Sequence, residues 1–196
     1  MTKRDRHITL GDVAEVRSGL VLARKQALGI SAFAYKLLTL RSIHPNGYVD
    51  VKQLDVFHAA EDLQLSYLSQ VGDIVIRLTA PYTAIFVDES TAGMVVSSNF
   101  VIIRADRNEL LPEYLFWLLN TPKVKRSIYE NATSNMLGAI KATYFAGFKM
   151  PKLPLAKQQQ IADINALALK EAKLLRDLAE QKERYYSFMI ARIQKN

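Results

Sequence analysis

Basic side chains are concentrated in one stretch of this sequence, and the chemistry that they favour is the binding of a polyanion. Residues 120–154 contain six lysines or arginines and one acid, Glu130, so this segment holds +5 of the formal net charge of +7. A polar loop predicted at 131–138 adds hydroxyl and amide groups between these cations. Such groups beside lysine and arginine suit phosphate oxygens and base edges. The segment therefore supplies four candidate DNA-binding residues: Thr133, Ser134, Asn135 and Lys141.

Two shorter segments carry similar side chains. Arg24 and Lys25 follow a glycine turn that begins near Ser18. A predicted strand ends at a loop that can face a ligand, and this loop carries Arg77, Thr79 and Tyr82. Arginine is able to bind guanine bidentately, and the amide of Asn135 suits adenine. A solvated polar surface is an equally good interpretation of each cluster, and the sequence leaves both open.

Motifs that would indicate an enzyme are missing. The absence of cysteine excludes a disulfide framework, a thiolate zinc site and a cysteine nucleophile. His7, His44 and His58 lack the spacing of metal ligands. There is no phosphate-binding glycine loop, dinucleotide fingerprint or nucleophile elbow. We therefore predict a binding protein with no catalytic residue, no metal site and no cofactor.

The elements that must position the candidate residues are short strands with few helices between them. This pattern predicts an α+β domain with a mixed or antiparallel sheet. Thr121 is the predicted N-cap of a helix that begins at Pro122 and runs to about Asn131. The predicted strands are 35–40, 74–77, 83–87, 94–96 and 100–104, and a further helix is predicted at 112–119.

Residues 155–196 have a different character. All eight glycines and all six prolines precede them, and apolar residues recur at three- and four-residue steps. The pattern predicts one amphipathic helix of roughly 55–60 Å, separate from a domain at 1–154. A domain of about 150 residues cannot cover that length, so we expect the apolar stripe to form a coiled coil with a second chain. A helix folded across its own domain is the alternative. The predicted dimerisation residues are Ile161, Ile164, Ala168, Leu175, Leu178, Tyr185 and Met189.

The N-terminus is charged and has no apolar segment behind it, which is unlike a signal peptide. No window approaches the roughly 18 apolar residues of a membrane helix. We expect a cytoplasmic protein with no membrane partner.

Several segments, taken in order, resemble the specificity (S) subunit of type I restriction–modification systems. The match is strongest where a Pro-Leu…Gln-Gln-x-Ile-Ala run leads into the long helix. The matching segments are 10–19, 72–76, 111–119, 138–140 and 150–162.

The resemblance implies a target recognition domain followed by a long helix. A full S subunit contains this unit twice, with its two helices packed antiparallel, so one copy implies a half-subunit. The resemblance further implies a non-catalytic chain that reads double-stranded DNA. It would position a methyltransferase (M) subunit and, where cleavage occurs, a restriction (R) subunit. A homodimer through residues 155–196 would read a bipartite, inverted-repeat site. A coiled-coil adaptor without a DNA role is the alternative function.

Overall fold

The computed structural model describes residues 7–133 and 140–194. The chain divides into two compact units, Met1–Gln159 and Gln160–Asn196. In chain order the elements of the described residues are β1 (His7–Thr9), α1 (Leu10–Val13), β2 (Ala14–Ser18), β3 (Phe33–Leu38), β4 (Asp55–Ala59), β5 (Ile74–Arg77), β6 (Ala84–Phe86), β7 (Val95–Val96), β8 (Phe100–Ala105), α2 (Pro112–Asn120), α3 (Pro122–Thr133), α4 (Ala142–Ala146), β9 (Lys149–Pro151) and α5 (Leu155–Gln194).

A four-stranded antiparallel sheet lies in the larger unit, with the strand order β2-β8-β5-β6. The central strands β5 and β8 are apolar and buried, and Val75 pairs with Ile102 while Ile76 pairs with Val101. A strand that is covered on both faces reads as a continuous apolar run. For this reason both strands could be predicted from the sequence.

A second sheet has the order β4-β3-β7, in which β3 pairs antiparallel with β4 and parallel with β7. Leu38 and Val96 of this sheet pack with Val75 and Ile102 of the first in one buried cluster. The two sheets therefore share a core. Together they confirm the predicted α+β class with antiparallel and mixed sheets.

Helices α2 and α3 follow the sheets and meet at Thr121. The Thr121 hydroxyl donates to the Leu118 carbonyl at 2.7 Å and accepts from the Val124 amide at 3.4 Å, so it ends one helix and caps the next. Helix α3 continues through Thr133, although residues 131–133 were predicted to lie in a loop. Because Ala132 is buried, the apolar stripe of α3 extends one turn further than expected.

The predicted C-terminal helix is confirmed as α5, which has 40 residues and a length of about 60 Å. Gln158 fixes its first turn, with a side chain that is only 3% exposed. The amide oxygen accepts from the Leu111 backbone at 2.9 Å, and the amide nitrogen donates to the carbonyls of Glu109 and Leu153 at 3.0 and 2.9 Å. In the part of the chain that the structure describes, no helix combines the length and the apolar character that crossing a bilayer needs.

The apolar stripe of α5 is largely open to solvent. From Gln160 to Gln194 the second unit is a single helix, so these described residues include no second element to cover the stripe. Ile164 is 68% exposed and Leu175 is 60% exposed. Of the other predicted dimerisation residues, Ala168, Leu178 and Tyr185 are exposed, and Ile161 and Met189 are partly buried.

Candidate nucleic-acid interface

One edge of the four-stranded sheet gathers loops that are distant in the sequence. In the antiparallel order, the C-terminal ends of β2 and β5 lie beside the N-terminal ends of β8 and β6. The Gly19 amide donates to the Phe100 carbonyl at 3.1 Å, and the Leu78 amide donates to the Asn99 carbonyl at 3.0 Å. The segments 19–20, 78–83 and 97–99 therefore meet at one place, which we call the loop edge.

The loop after β5 is held in a defined conformation. The Tyr82 amide donates to the Thr79 carbonyl at 3.0 Å, and the Arg77 amide donates to the Thr83 carbonyl at 3.2 Å. Tyr82 has a φ of +52°, in the left-handed region that residues with a Cβ rarely adopt, and its side chain is buried. Such a conformation persists where the surroundings over-determine the backbone. The loop therefore presents Thr79 in one arrangement.

Arg77 carries an incompletely satisfied charge at this edge. Its Nε is buried and has no hydrogen-bond partner among residues 7–133 and 140–194, and burial lowers the pKa of the guanidinium. The Thr83 hydroxyl, in the same described ranges, is also buried without a partner. A buried polar group or charge without a partner costs free energy, so the fold leaves Arg77 and Thr83 incompletely satisfied.

The segment before α4 reaches the same loop. The Ile140 amide donates to the Leu78 carbonyl at 3.5 Å, so the next residue, Lys141, lies beside the loop and is exposed. Burial and, secondly, the nearby Tyr129 of α3 raise the pKa of the Tyr82 hydroxyl. These contacts bring parts of the chain that are about sixty residues apart to one surface.

The structure brings some of the predicted DNA-binding residues together and not others. Thr133 ends α3, and its hydroxyl donates to two backbone carbonyls of the preceding turn, at 3.0 and 3.1 Å. Ser134 and Asn135 lie outside the described residues. The predicted residues that meet at or beside the loop edge are Arg77, Thr79, Tyr82 and Lys141.

Arg24 and Lys25 lie a short distance from the loop edge, toward the second sheet. The Ala60 amide donates to the Lys25 carbonyl at 2.8 Å, which places Lys25 just beyond the C-terminal end of β4. The loop edge instead adjoins the C-terminal end of β3, through the parallel pairing of β3 with β7. Lys25 follows Leu20 of the loop edge by only five residues, and the Lys25 amide donates to the Leu22 carbonyl, so the Cα atoms of Leu20 and Lys25 are at most about 13 Å apart. Lys25 also forms an ion pair with Glu61, whose hydrogen bond raises the pKa of the lysine.

A second charged cluster on the larger sheet has a structural role. The Asp73 carboxylate is 1% exposed and accepts bonds of 2.8 Å from both Nε and Nη2 of Arg104. It also accepts from the Gln70 amide at 2.8 Å. Because the charges of Asp73 and Arg104 are paired with each other, neither is free to bind an ion. Within the described ranges, no group of three or more histidine, aspartate and glutamate side chains is placed to hold a metal ion.

Sequence reasoning did not single out Lys125 and Tyr129 of α3 as candidate residues. Both lie on α3, one turn apart, and Tyr129 is 55% exposed. Lys125 is partly buried, and this burial lowers its pKa. The four-residue spacing was visible in the sequence. The influence of Tyr129 on the Tyr82 pKa could not be predicted, because the approach of the two residues leaves no local signal in the sequence.

Comparisons with known proteins find structures only. No protein-family model matches the sequence, and no curated protein matches it. A chain from the solved structures of the complex assembly and conformational transition of the type I R-M system has a TM-score of 0.67 and 18% identity, covering 91% of this chain and 45% of its own. The HsdS subunit from Thermoanaerobacter tengcongensis has a TM-score of 0.65 and 19% identity, covering 88% of this chain and 44% of its own. This chain thus spans less than half the length of either, and the likeness shows its fold: one α+β domain followed by a long helix, as in half of an HsdS subunit.

Proposed function

We propose that this chain, which has the fold of half of a type I restriction–modification S subunit, recognises DNA in such a system. The observation that carries the proposal is the loop edge, where Arg77 and Lys141 come from separate elements to one surface. The Arg77 Nε has no partner in the described part of the chain. Phosphate oxygens and the acceptor atoms of base edges bind hydrogen-bond donors and cations that the fold leaves without partners.

Each side chain of the loop edge suits a different contact. The planar guanidinium of Arg77 is able to bind a guanine or a phosphate bidentately, and the ammonium of Lys141 acts as a point charge on a phosphate. The Thr79 hydroxyl is able to donate or accept at a base edge. Arg24 and Lys25, whose backbone lies within about 13 Å of the loop edge, would contact phosphates up to about four base pairs further along the duplex.

In this proposal the chain supplies recognition and no catalysis. An M subunit would bring the methyl-transfer chemistry to the DNA that the loop edge has bound, and an R subunit would join it where cleavage occurs. This division of tasks agrees with the lack of catalytic motifs in the sequence. The chain would work in the cytoplasm, where its DNA lies.

The exposed stripe of α5 supports the second half of the proposal, a homodimer. A twofold dimer through α5 would hold two identical recognition domains, each reading the same half-site in opposite orientation. The separation of the half-sites would then depend on the length of α5, about 60 Å. Light scattering after gel filtration should give about twice 22.1 kDa.

Binding of labelled duplex DNA at several salt concentrations, with and without an M subunit, tests the DNA role. Phosphate contacts predict a linear fall of log affinity with log salt. If Arg77 contacts a base, Arg77→Ala should weaken binding to the preferred site by about 1–3 kcal/mol. Arg107→Ala is the matched control, because Arg107 follows the opposite end of β8 and pairs with Glu113.

The adaptor alternative predicts different data. A coiled-coil adaptor would dimerise through α5 but would show no salt-dependent binding of duplex DNA, even with an M subunit present. That result would remove the DNA-recognition proposal and leave the dimer intact. If the chain is instead a monomer at micromolar concentration, the dimer proposal fails and the DNA-recognition proposal stands.

A further inference from the structure

The connection from β3 to β4 carries a tight hairpin at the end of the domain where the loop edge lies. Its first three residues line a cleft of about 340 Å³ together with Ser97 and Asn99 of the loop edge. Further along, a Cβ atom at Gly47 would lie only 3.1 Å from the carbonyl oxygen of Ala84, the residue that follows the loop edge. These two contacts place the hairpin, residues 42–50, beside the loop edge.

The hairpin has one defined conformation. The Gly47 amide donates to the His44 carbonyl, and the His44 amide donates to the Tyr48 carbonyl, both at 2.9 Å. Gly47 has a φ of +84°, and carbons of the Phe116 ring lie 3.0 Å from where its Cβ would be, so another residue there would strain the turn. Pro45, in the same turn, has its own φ fixed by its ring. A segment that is already ordered loses little conformational freedom when it binds a partner.

A stacked pair of aromatic rings stiffens the hairpin. The ring centres of His44 and Tyr48 are 4.3 Å apart, and the two planes differ by 13°. The His44 Nδ1 accepts a hydrogen bond of 3.2 Å from the Asn46 amide, so the neutral imidazole carries its proton on Nε2. Among residues 7–133 and 140–194, this Nε2–H has no hydrogen-bond partner. The fold therefore holds one ring donor in place without using it.

The tip of the hairpin presents a second unused group. Asn46 is exposed, and its side-chain amide forms no hydrogen bond within the described part of the chain. This amide carries a donor and an acceptor, the pair that matches the adenine edge in the major groove. The one acid of the hairpin, Asp50, lies at its base, where its carboxylate accepts from the Lys52 amide at 3.1 Å and from the Gln53 side chain at 2.9 Å. The tip itself therefore carries no charge that would repel a phosphate.

We propose that the 42–50 hairpin enters the major groove beside the loop edge, with the Asn46 amide on an adenine edge and the His44 Nε2–H on a backbone phosphate. This inference rests on the proposed DNA recognition and adds to it a second reading element from a separate part of the chain. The major groove admits a two-stranded β-ribbon, which is the shape of this hairpin. Arg77 and Lys141 of the loop edge supply the cations, and the hairpin supplies uncharged groups that read a base.

The two hairpin residues have distinguishable effects. A base contact is specific, so Asn46→Ala should weaken binding to the preferred duplex by about 5- to 100-fold and leave binding to unrelated duplexes unchanged. A phosphate contact is not specific, so His44→Phe, which keeps a ring for the stack, should weaken binding to all duplexes by about 2- to 10-fold. The salt slope should not change, because a neutral donor releases no counterion. His44→Asn replaces Nδ1 by an oxygen that accepts the Asn46 amide, lacks the same Nε2–H, and should show the same loss.

Fluorescence anisotropy with the full chain, an M subunit and a duplex selected from a random pool measures these affinities. Asn108→Ala is the matched control, because it removes an exposed side-chain amide beyond the opposite end of β8. Thermal unfolding of each variant identifies any loss that comes from folding. Replacing single adenines of the preferred duplex by 7-deazaadenine, which lacks N7, should at one position weaken binding of the unaltered chain and have no further effect on Asn46→Ala.

Three outcomes would overturn the inference. If the unaltered chain binds DNA with a steep salt slope and the hairpin variants bind as tightly as Asn108→Ala, the hairpin does not contact the duplex, although the proposed function stands. If the variants instead lose binding of the M subunit in the absence of DNA, the hairpin contacts that protein. If the unaltered chain with its M subunit binds no duplex DNA, the proposed function fails and the role of the hairpin fails with it.

Discussion

Leu175→Ala is the sharpest perturbation of the proposed dimer. Leu175 lies in the middle of α5, and its side chain is 60% exposed in the single chain. Alanine is a good helix former, so the substitution should shorten the side chain without disrupting the helix. Any loss of dimerisation would therefore report on contact between chains.

The expected magnitude follows from the exposed fraction. Full burial of a leucine side chain contributes about 1.5–3 kcal/mol, so covering the exposed 60% of Leu175 contributes about 1–2 kcal/mol. A twofold interface contains the residue twice, which doubles the effect to about 2–4 kcal/mol. At about 1.4 kcal/mol per factor of ten, the dissociation constant of the dimer should rise by about 30- to 700-fold.

Sedimentation equilibrium over a range of protein concentrations measures this constant. Lys173→Ala is the control, because Lys173 lies about 160° around the helix from Leu175 and is exposed. We expect the control to dimerise like the unaltered chain. The reasoning would be refuted if Leu175→Ala also dimerised with an unchanged constant, because the stripe would then lie outside the interface.

Two further substitutions test the contacts that hold the domain together. Asp73→Asn should leave the partly buried guanidinium of Arg104 without its counter-charge and destabilise the fold by about 2–4 kcal/mol. Urea unfolding measures this loss, and an unfolding midpoint equal to that of the unaltered chain would contradict the structural role of Asp73. Gln158→Ala should remove the partners of three backbone groups, those of Glu109, Leu111 and Leu153, and cost about 1–3 kcal/mol, with faster amide exchange in the first turn of α5. Unchanged exchange there would show that Gln158 does not anchor the helix.

The elements that the sequence predicted are those with a strong local signal. Strands β5 and β8 are continuous apolar runs, α2 and α3 have proline at their first turn, and α5 lacks helix breakers over 40 residues. Strand β4 was missed although its side chains alternate between exposed and buried, because its five residues include Asp55 and His58. Strands β1 and β9 have three residues each, which is too short for a periodic pattern to be recognised.

The candidate site could be predicted only in pieces. Arg77, Thr79 and Tyr82 form one local cluster in the sequence, and Lys141 belongs to another. The two clusters meet because of the strand order and the hydrogen bond between Ile140 and Leu78. Neither feature can be predicted from local composition. The placement of Lys25 just beyond the end of β4 has the same cause, because it is fixed by the bond between the Ala60 amide and the Lys25 carbonyl.

In this proposal one unit recognises the DNA and the other holds two recognition domains apart, and this separation can be tested. Arg77 belongs to the unit Met1–Gln159 and Leu175 to the unit Gln160–Asn196, so substitutions at the two positions should act independently on a single half-site. They are coupled only on an inverted repeat, where a dimer converts the second half-site contact into an intramolecular event. Leu175→Ala should therefore leave the affinity for a half-site duplex unchanged. It should weaken binding to the inverted repeat only at protein concentrations below the dissociation constant of the dimer. Equal losses on both duplexes would mean that α5 takes part in reading the DNA, and the separation of tasks would be wrong.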